Sequence, residues 1–587
     1  MRVLLLHPED RLPPGGRCRW DQIVDFGRAP ASTYERWAKL TACPVISIYD
    51  FAREIDDLCL CRKHLRLGMG CLIDRHGIDW WDVLSLGIVS DLRQLILLDR
   101  LARYIDSPCE LDATRPFPSA EVLQNLLGCT LSVQGGRFQS MRKKFRHYSG
   151  VLATLDAGQL SQVMQDKFDR HHAVRRRLSR RKSRSNVPVI LLPSAYVNVS
   201  RMAVRYAELL SDQQFLLVFA RRNGQLQSLP ANVSMASLDP YFGSSNNREA
   251  HLLDEWRFLR QRLVRDERIF EIADRAGMLE RIGSGLRWGL RMRDAWVNVL
   301  DSELIVGCLS ADDTNPYTRI PLLLARDRGM PTVACHHGAL DCWMTLKNLA
   351  ADCYLAKNEL ERDYLVRTCR VPQERIVLGG PPRAEPPAFQ TTMEFFDRNW
   401  MVVFTEPYET SGWRSEEVYL DLLPRLCALA RRCGLKLVFK LHPFESIRGH
   451  RKKLWRILGE KQREIEVLAG PLTDDLWRKT KFALTVESSI ALECAAREIP
   501  VFLCAWLRDS YTGYVQQYEK FAAGQALESP EQIADIPHLL ETRSRPVGAL
   551  EETIDPATLQ ALFSARYTMP VAINRSAFVT QAQTAVR

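Results

Sequence analysis

Nowhere do the 587 residues run through eighteen uncharged apolar positions, so no membrane-spanning helix is expected. The opening MRVLLLHPED has only five apolar residues before His7-Pro8 and two acids, too few for the apolar core of a secretory signal. Sixteen cysteines are present but without a framework. Cys59 and Cys61 form a C-x-C and Cys71 follows, yet no second pair stands at zinc spacing. His64 could complete a set with those three; the commoner outcome is reduced, buried thiols in a reducing cytoplasm. There is no internal repeat, no long low-complexity tract and no recognised nucleic-acid module, so no nucleic-acid partner is expected.

What is present is ordinary for a globular protein: 46% hydrophobic and 26% charged residues. The length exceeds what one core supports, and two or three domains are expected. Part of the net charge of +10 lies in Arg175–Arg184, RRRLSRRKSR. That run reads as a solvated linker, or as a patch drawn to anionic headgroups or acidic glycans. Each Lys or Arg near a membrane contributes about 1 kcal/mol, enough for peripheral attachment at the inner face of a plasma membrane and not for insertion. A cytoplasmic or peripheral location is the expectation.

Short apolar runs alternate with helical periodicities along most of the chain. Val3–His7 and Cys43–Ile48 read as strands, Trp80–Tyr104 and Pro118–Leu127 as helical segments. From Val189 a βα rhythm sets in: strands over Val189–Leu192, Phe215–Phe219, Leu304–Cys308, Thr332–Cys335, Cys353–Ala356 and Ile376–Leu378, with helices between. Four prolines and two glycines within 379–387 break it. It resumes at Trp400–Phe404 and continues through strands near 435, 465, 482 and 500. Such alternation predicts an α/β protein with parallel sheets. The expected division is an N-terminal α/β part at 1–136, a helical and basic excursion at 137–186, and a Rossmann-like domain at 187–380 continuing 1–136. A hinge at 381–399, a second Rossmann-like domain at 400–565 and a tail at 566–587 crossing back complete it.

Ligands of open α/β sheets bind at the carboxyl ends of strands. His336-His337-Gly338 follows the strand TVAC, where an imidazole could take a proton from a hydroxyl, or could be tied to a turn carbonyl. Asp312 and Asp313, in SADDTN, follow Leu304–Cys308 as a base, an acceptor-orienting carboxylate or a helix cap. In the second half, Lys440, His442 and Pro443 end one strand, and Glu487, Ser488 and Ser489 end another and open a helix. Free amides and hydroxyls there would make an anion site, or simply a cap. Glu493 on that helix could receive a ribose hydroxyl or face a neighbour. Thr405 begins a loop at the same edge, and Gly379 and Gly380 with Arg383 make a flexible, cationic turn at the presumed cleft.

These residues resemble the GT-B glycosyltransferases, with two Rossmann-like domains facing across a cleft. The His-Pro and Ser-Ser pairing is similar to bacterial sialyl- and Kdo-transferases using CMP-activated sugars. With the His-Gly it also resembles CDP-glycerol glycerophosphotransferases of teichoic acid synthesis. The resemblance implies that His442-Pro443, Ser488 and Ser489 contact donor phosphate, with Lys440, Glu487, Glu493, Thr405, Gly379, Gly380 and Arg383 around it. It implies His337 or Asp313 as the base, and His336, Gly338 and Asp312 beside the acceptor. No cofactor or metal is expected, only a nucleotide-activated sugar and a glycan or lipid-linked acceptor. Glycerol-phosphate transfer, a nucleotide-sugar 2-epimerase and a non-catalytic scaffold are the rival expectations. The carboxylate–carboxylate–Gly motif of sialyltransferases has no match, since Thr314 follows Asp313.

Overall fold

The computed structural model describes residues 1–12, 19–105, 108–133, 187–243, 250–338, 340, 346–381, 398–443, 445–508, 513–542 and 553–564. Three parallel sheets organise them. The first contains β1 (Arg2–Leu6), β2 (Gln22–Asp25), β3 (Val45–Ser47), β4 (Glu110–Ala113) and β5 (Thr130–Val133), in the order β3-β2-β1-β4-β5. The second contains β6 (Val189–Ser194), β7 (Gln214–Phe219), β8 (Val233–Ser237), β9 (Ile305–Ser310), β10 (Thr332–Ala334), β11 (Cys353–Ala356) and β12 (Ile376–Leu378), in the order β12-β11-β10-β9-β6-β7-β8. The third contains β13 (Trp400–Phe404), β14 (Lys436–Lys440), β15 (Glu466–Leu468), β16 (Thr480–Thr485), β17 (Val501–Cys504) and β18 (Gln525–Leu527), in the order β15-β14-β13-β16-β17-β18.

Each sheet grows from a central first strand to one edge, then returns to the other side of that strand. Each therefore reverses its order once, between β1 and β4, β6 and β9, and β13 and β16. In such doubly wound sheets the reversal opens a crevice at the strands' carboxyl ends. Strands covered on both faces read as continuous apolar runs. Val3, Leu4, Leu5 and Leu6 of β1 are all fully buried, as are Val402 of β13 and Ala483 of β16.

The α/β class and parallel sheets agree with the sequence; the division of the first half does not. Residues 1–133 do not extend the sheet of 187–380 but close one of their own. The two sheets instead share a hydrophobic core through the helix Met278–Ser302. Its glycines explain how. A Cβ on Gly289 would lie 2.3 Å from the Trp80 ring, and one on Gly283 would lie 2.8 Å from Trp256 Nε1. The helix is notched where tryptophans cross it. Trp80 also donates to Asp74 (3.0 Å), which pairs with buried Arg293 of the same helix (2.7 Å).

Residues 553–564 cross back to the second sheet. Thr553 bridges to Gly380, and Leu559 and Leu562 pack with Leu309, Val333 and Leu355 of the second sheet. Gly379, at φ +140°, permits it, since a Cβ there would sit 2.6 Å from Ile554. Residues 566–587, the excursion 137–186 with Arg175–Arg184, and Arg383 of the hinge lie outside the described residues.

Arg414 joins the first sheet to the third. Its guanidinium holds both Asp25 oxygens (2.7 and 2.5 Å) and donates to the carbonyls of Asp10 (2.5 Å) and His7 (2.9 Å), all at the carboxyl edge of the first sheet. Removing one partner of a buried pair strands the other charge, at about 3–5 kcal/mol. Arg414→Ala is expected to lower the first urea transition by that order. Asp25→Leu/Arg414→Met should recover much of it, because neither charge is then left buried.

Candidate functional site

At the third sheet's reversal, β13 runs into Thr405-Glu406-Pro407 and β16 into Val486-Glu487-Ser488. The backbone amides of Val486 (3.1 Å), Glu487 (2.8 Å) and Ser488 (3.0 Å) and the hydroxyl of Thr485 (3.2 Å) all donate to one oxygen of Glu406. The amides expected to stand free near Ser488 are thus taken up by the protein's own carboxylate. Ser488 Oγ accepts from the Ile490 amide (3.3 Å), and Ser489 opens the helix Ile490–Ala495 without a side-chain cap bond. Glu493, on that helix, faces a neighbour: Arg497 (2.7 Å), which lies over the Trp477 ring.

The end of β14 closes the same edge. The Lys440 ammonium donates to the Gly470 carbonyl (2.5 Å), and burial lowers its pKa. The His442 amide donates to Thr405 Oγ1 (3.0 Å), whose hydroxyl donates to Glu445. Burial, then Lys440, lowers the His442 imidazole, and Pro443 follows exposed. Burial raises the carboxyls of Glu406 and Glu445.

In the second sheet, β10 delivers His336-His337-Gly338 to the carboxyl end. The two imidazoles stack with centroids 5.0 Å apart. His337 Nδ1 lies 3.3 Å from the Ala311 carbonyl. A carbonyl only accepts, so Nδ1 carries the proton and Nε2 keeps its lone pair. Burial lowers the His337 pKa against the opposing charge of Asp312. His336 is pushed down to about 4 by burial and then by His337. Lys357 clamps this turn from below, donating to the carbonyls of His336 and Gly338 (both 2.9 Å) and pairing with Glu361 (2.7 Å). Gly380 packs against the Lys357 backbone, and the Gly379 carbonyl accepts from Tyr206 (3.2 Å).

The two carboxylates of SADDTN part company. Asp312 orders the turn, accepting from the Thr314 amide (2.7 Å) and hydroxyl (2.6 Å) and from Asn315 Nδ2 (2.6 Å). Asn315 is the residue that caps the helix Pro316–Asp327, accepting from the Thr318 amide. Asp313, expected as a base, is sealed instead. It is 2% exposed and held by Lys347 (2.7 Å), the Tyr354 hydroxyl (3.0 Å) and the Arg319 charge, and those cations keep its pKa low against burial. A carboxylate so committed cannot reach a substrate hydroxyl. Of the expected pair only His337 has a proton-accepting atom left.

Contacts through the helices Glu359–Arg367 and Tyr514–Lys520 connect the two polar edges. Tyr364 and Tyr514 stack at 4.8 Å, and Gln517 donates to the Leu360 carbonyl (2.9 Å). The Tyr518 hydroxyl donates to the Glu487 carbonyl (3.3 Å), and burial with Glu406, Glu487 and Glu361 raises its pKa. Glu361, the partner of Lys357, therefore stands in the field of the third-sheet loop. Glu445, Lys357, Glu361 and Tyr518 are not singled out by the sequence, and Glu406 enters there only within the loop Thr405-Glu406-Pro407. Glu406 had a signal, an acid and a proline directly after the apolar run WMVVF.

Cys59, Cys61, Cys71 and His64 do not assemble. Among the described residues no group of three or more His, Cys, Asp or Glu is placed to hold a metal ion. Nor, among those residues, is any helix long and apolar enough to cross a membrane.

No protein-family model matches the sequence, and no curated protein does. Solved structures resemble it at a distance. UDP-GlcNAc 2-epimerase from Methanocaldococcus jannaschii is 10% identical at a TM-score of 0.38, over 62% of this chain and 96% of that one. The wall teichoic acid polymerase TagF is 12% identical at 0.35, over 73% and 93%. CalG4, the calicheamicin glycosyltransferase, is 12% identical at 0.36, over 61% and 91%.

His336 carries a pH signature. Its folded pKa lies below the unfolded 6.5, so the unfolded chain binds more protons between about 6.5 and 4. Its contribution to stability is whole above 6.5 and is lost as pH falls through that window, on the order of 3 kcal/mol. Urea titrations at pH 7.5 and 5 should show a smaller pH-dependent loss in His336→Gln than in the parent chain.

Proposed function

We propose that the chain is a glycosyltransferase that takes a sugar from a nucleotide-linked donor, CMP-linked by its motifs, and passes it to a hydroxyl of a surface glycan. The second and third sheets are the facing pair of a GT-B enzyme in this reading. The observation that carries it is the amide nest of residues 486–488, which already holds an anion at the crevice of a doubly wound sheet. A donor phosphate and the Glu406 carboxylate cannot share one set of amides. Donor entry therefore displaces Glu406, and the nest, Lys440 and His442 stabilise the leaving phosphate.

His337 supplies the base. Its Nε2 accepts the acceptor's proton, the Ala311 carbonyl fixes the tautomer, and nearby Asp312 offsets the imidazolium charge that forms.

Thermal melts with CMP, CDP, UDP and GDP test the donor side. CMP should raise the melting temperature, by up to about 2.7 kcal/mol of added stability at a hundredfold excess over Kd. Preference for CDP points to glycerol-phosphate transfer and preference for UDP to epimerase chemistry; no shift with any nucleotide leaves a scaffold. His442→Ala should abolish transfer and keep the parent's circular dichroism; undiminished turnover in that variant sinks the assignment.

The base has its own test. A lowered His337 pKa places the acid limb of kcat/KM below pH 6.5. His337→Gln should erase that limb and slow transfer by about 10²–10⁴.

A further inference from the structure

A cavity of about 420 Å³ lies between the first and third sheets, and none of the site residues assigned above is among those that line it. Its walls come from strand carboxyl ends on both sides. Arg28 follows β2, Tyr49 and Asp50 follow β3, Trp506 and Arg508 follow β17, and Glu528 directly follows β18. Crevices of this size, between units and outside strand ends, are where small ligands settle.

The cavity is built rather than left over. The Arg28 amide donates to the Gly412 carbonyl (2.8 Å) and the Arg414 amide to the Arg28 carbonyl (2.7 Å), a backbone bridge beside the buried Arg414–Asp25 pair. Gly412 sits at φ +79°, and a Cβ there would lie 2.4 Å from the Tyr49 hydroxyl, so glycine lets the Tyr49 wall come close. The Arg28 guanidinium is laid over the Tyr49 ring at 4.2 Å. Such bracing holds the site in shape before anything binds.

Its chemistry selects a class. Two cations, Arg28 and Arg508, stand against two carboxylates, Asp50 and Glu528, with Arg508 and Glu528 already 3.5 Å apart. A nucleotide phosphate would require an excess of cations, which the lining lacks. The lining instead mixes aromatic faces with donors and acceptors. Three donor atoms of lining residues, Arg28 Nε, Trp413 Nε1 and Trp506 Nε1, have no acceptor among the described residues but lie behind the cavity wall, out of reach of water. A charge-balanced pocket that mixes aromatic rings with hydrogen-bonding side chains suits a hydroxyl-rich, uncharged ligand that offers oxygens to its polar groups and C–H faces to the rings.

We infer that this cleft binds a neutral saccharide, through a site composed jointly by the first and third sheets. The site stands whether or not the chain transfers sugars, and it gives residues 1–133 a role in recognition.

Saturation-transfer NMR on the full chain, with maltohexaose, cellohexaose, chitohexaose and mannohexaose as probes, tests it. At least one should bind, and Trp506→Ala should weaken it about tenfold or more. Arg508→Gln and Glu528→Gln lie at the partly exposed rim, where folding is not at stake, and should weaken it too. The thermal shift given by CMP should stay unchanged in all three. The inference is overturned if no saccharide of the panel binds, if binding survives in all three variants, or if CMP displaces the saccharide.

Discussion

The salt bridge between Arg414 and Asp25 governs how this molecule is assembled. Two charges buried at 6% and 0% side-chain exposure lose hydration that ordinary ion pairs keep, and only complete hydrogen bonding offsets that loss. Arg414 meets the condition with a two-point grip on Asp25 and two carbonyls of the loop after β1. A displacement of one ångström would break several of these bonds together, so the pair tolerates one docking geometry and few others. The end of β2 and the loop after β1 are tied together in the process. The carboxyl edge of the first sheet, at the ends of β1 and β2, becomes a joint between domains.

The second sheet is fastened by the same physics. Arg319 reaches Asp82 of the first half and the Asn348 carbonyl, while Arg293 holds Asp74. Asp313 belongs to this network through Lys347 and Tyr354, which is why it makes a poor base: its charge balances two buried cations. Removing it would leave Lys347 and Arg319 under-compensated in the interior. Buried charge is here a fastening between units, and the positions proposed to take part in the reaction include ones where burial is incomplete, His337, Glu487 and Ser488.

How far the sequence could be read follows from the range of each interaction. Strands such as WMVVF and CYLA are apolar runs bounded by turn residues, and β11, β12 and β13 fall at the bounds expected for them. β4, the segment ELDA, has a single large apolar residue and a buried aspartate. It is a strand because β1 and β5 pair with it, and Asp112 is tolerated because Arg2 (2.8 Å) and Trp20 (2.7 Å) donate to it. Those partners lie 110 and 92 residues away and leave no local trace. The same distance problem hid the separate first sheet. It also hid the distinction between Asp312 and Asp313, neighbours in sequence whose partners are a local turn in one case and Lys347 in the other.

Self-occupation at two sheet edges bears on how the third sheet could act. In the first sheet the occupant, Arg414, is tied by four hydrogen bonds, two of them to the Asp25 carboxylate, and its removal would leave Asp25 unpaired. In the third the occupant, Glu406, is itself an acid whose pKa burial raises, so holding it ionised in the nest is the weaker arrangement. A phosphate brings more charge and more acceptor oxygens to the same four donors and has no desolvated backbone loop of its own to strain. The two edges differ in reversibility: a joint in the first sheet and, in the proposed reading, an exchangeable anion site in the third.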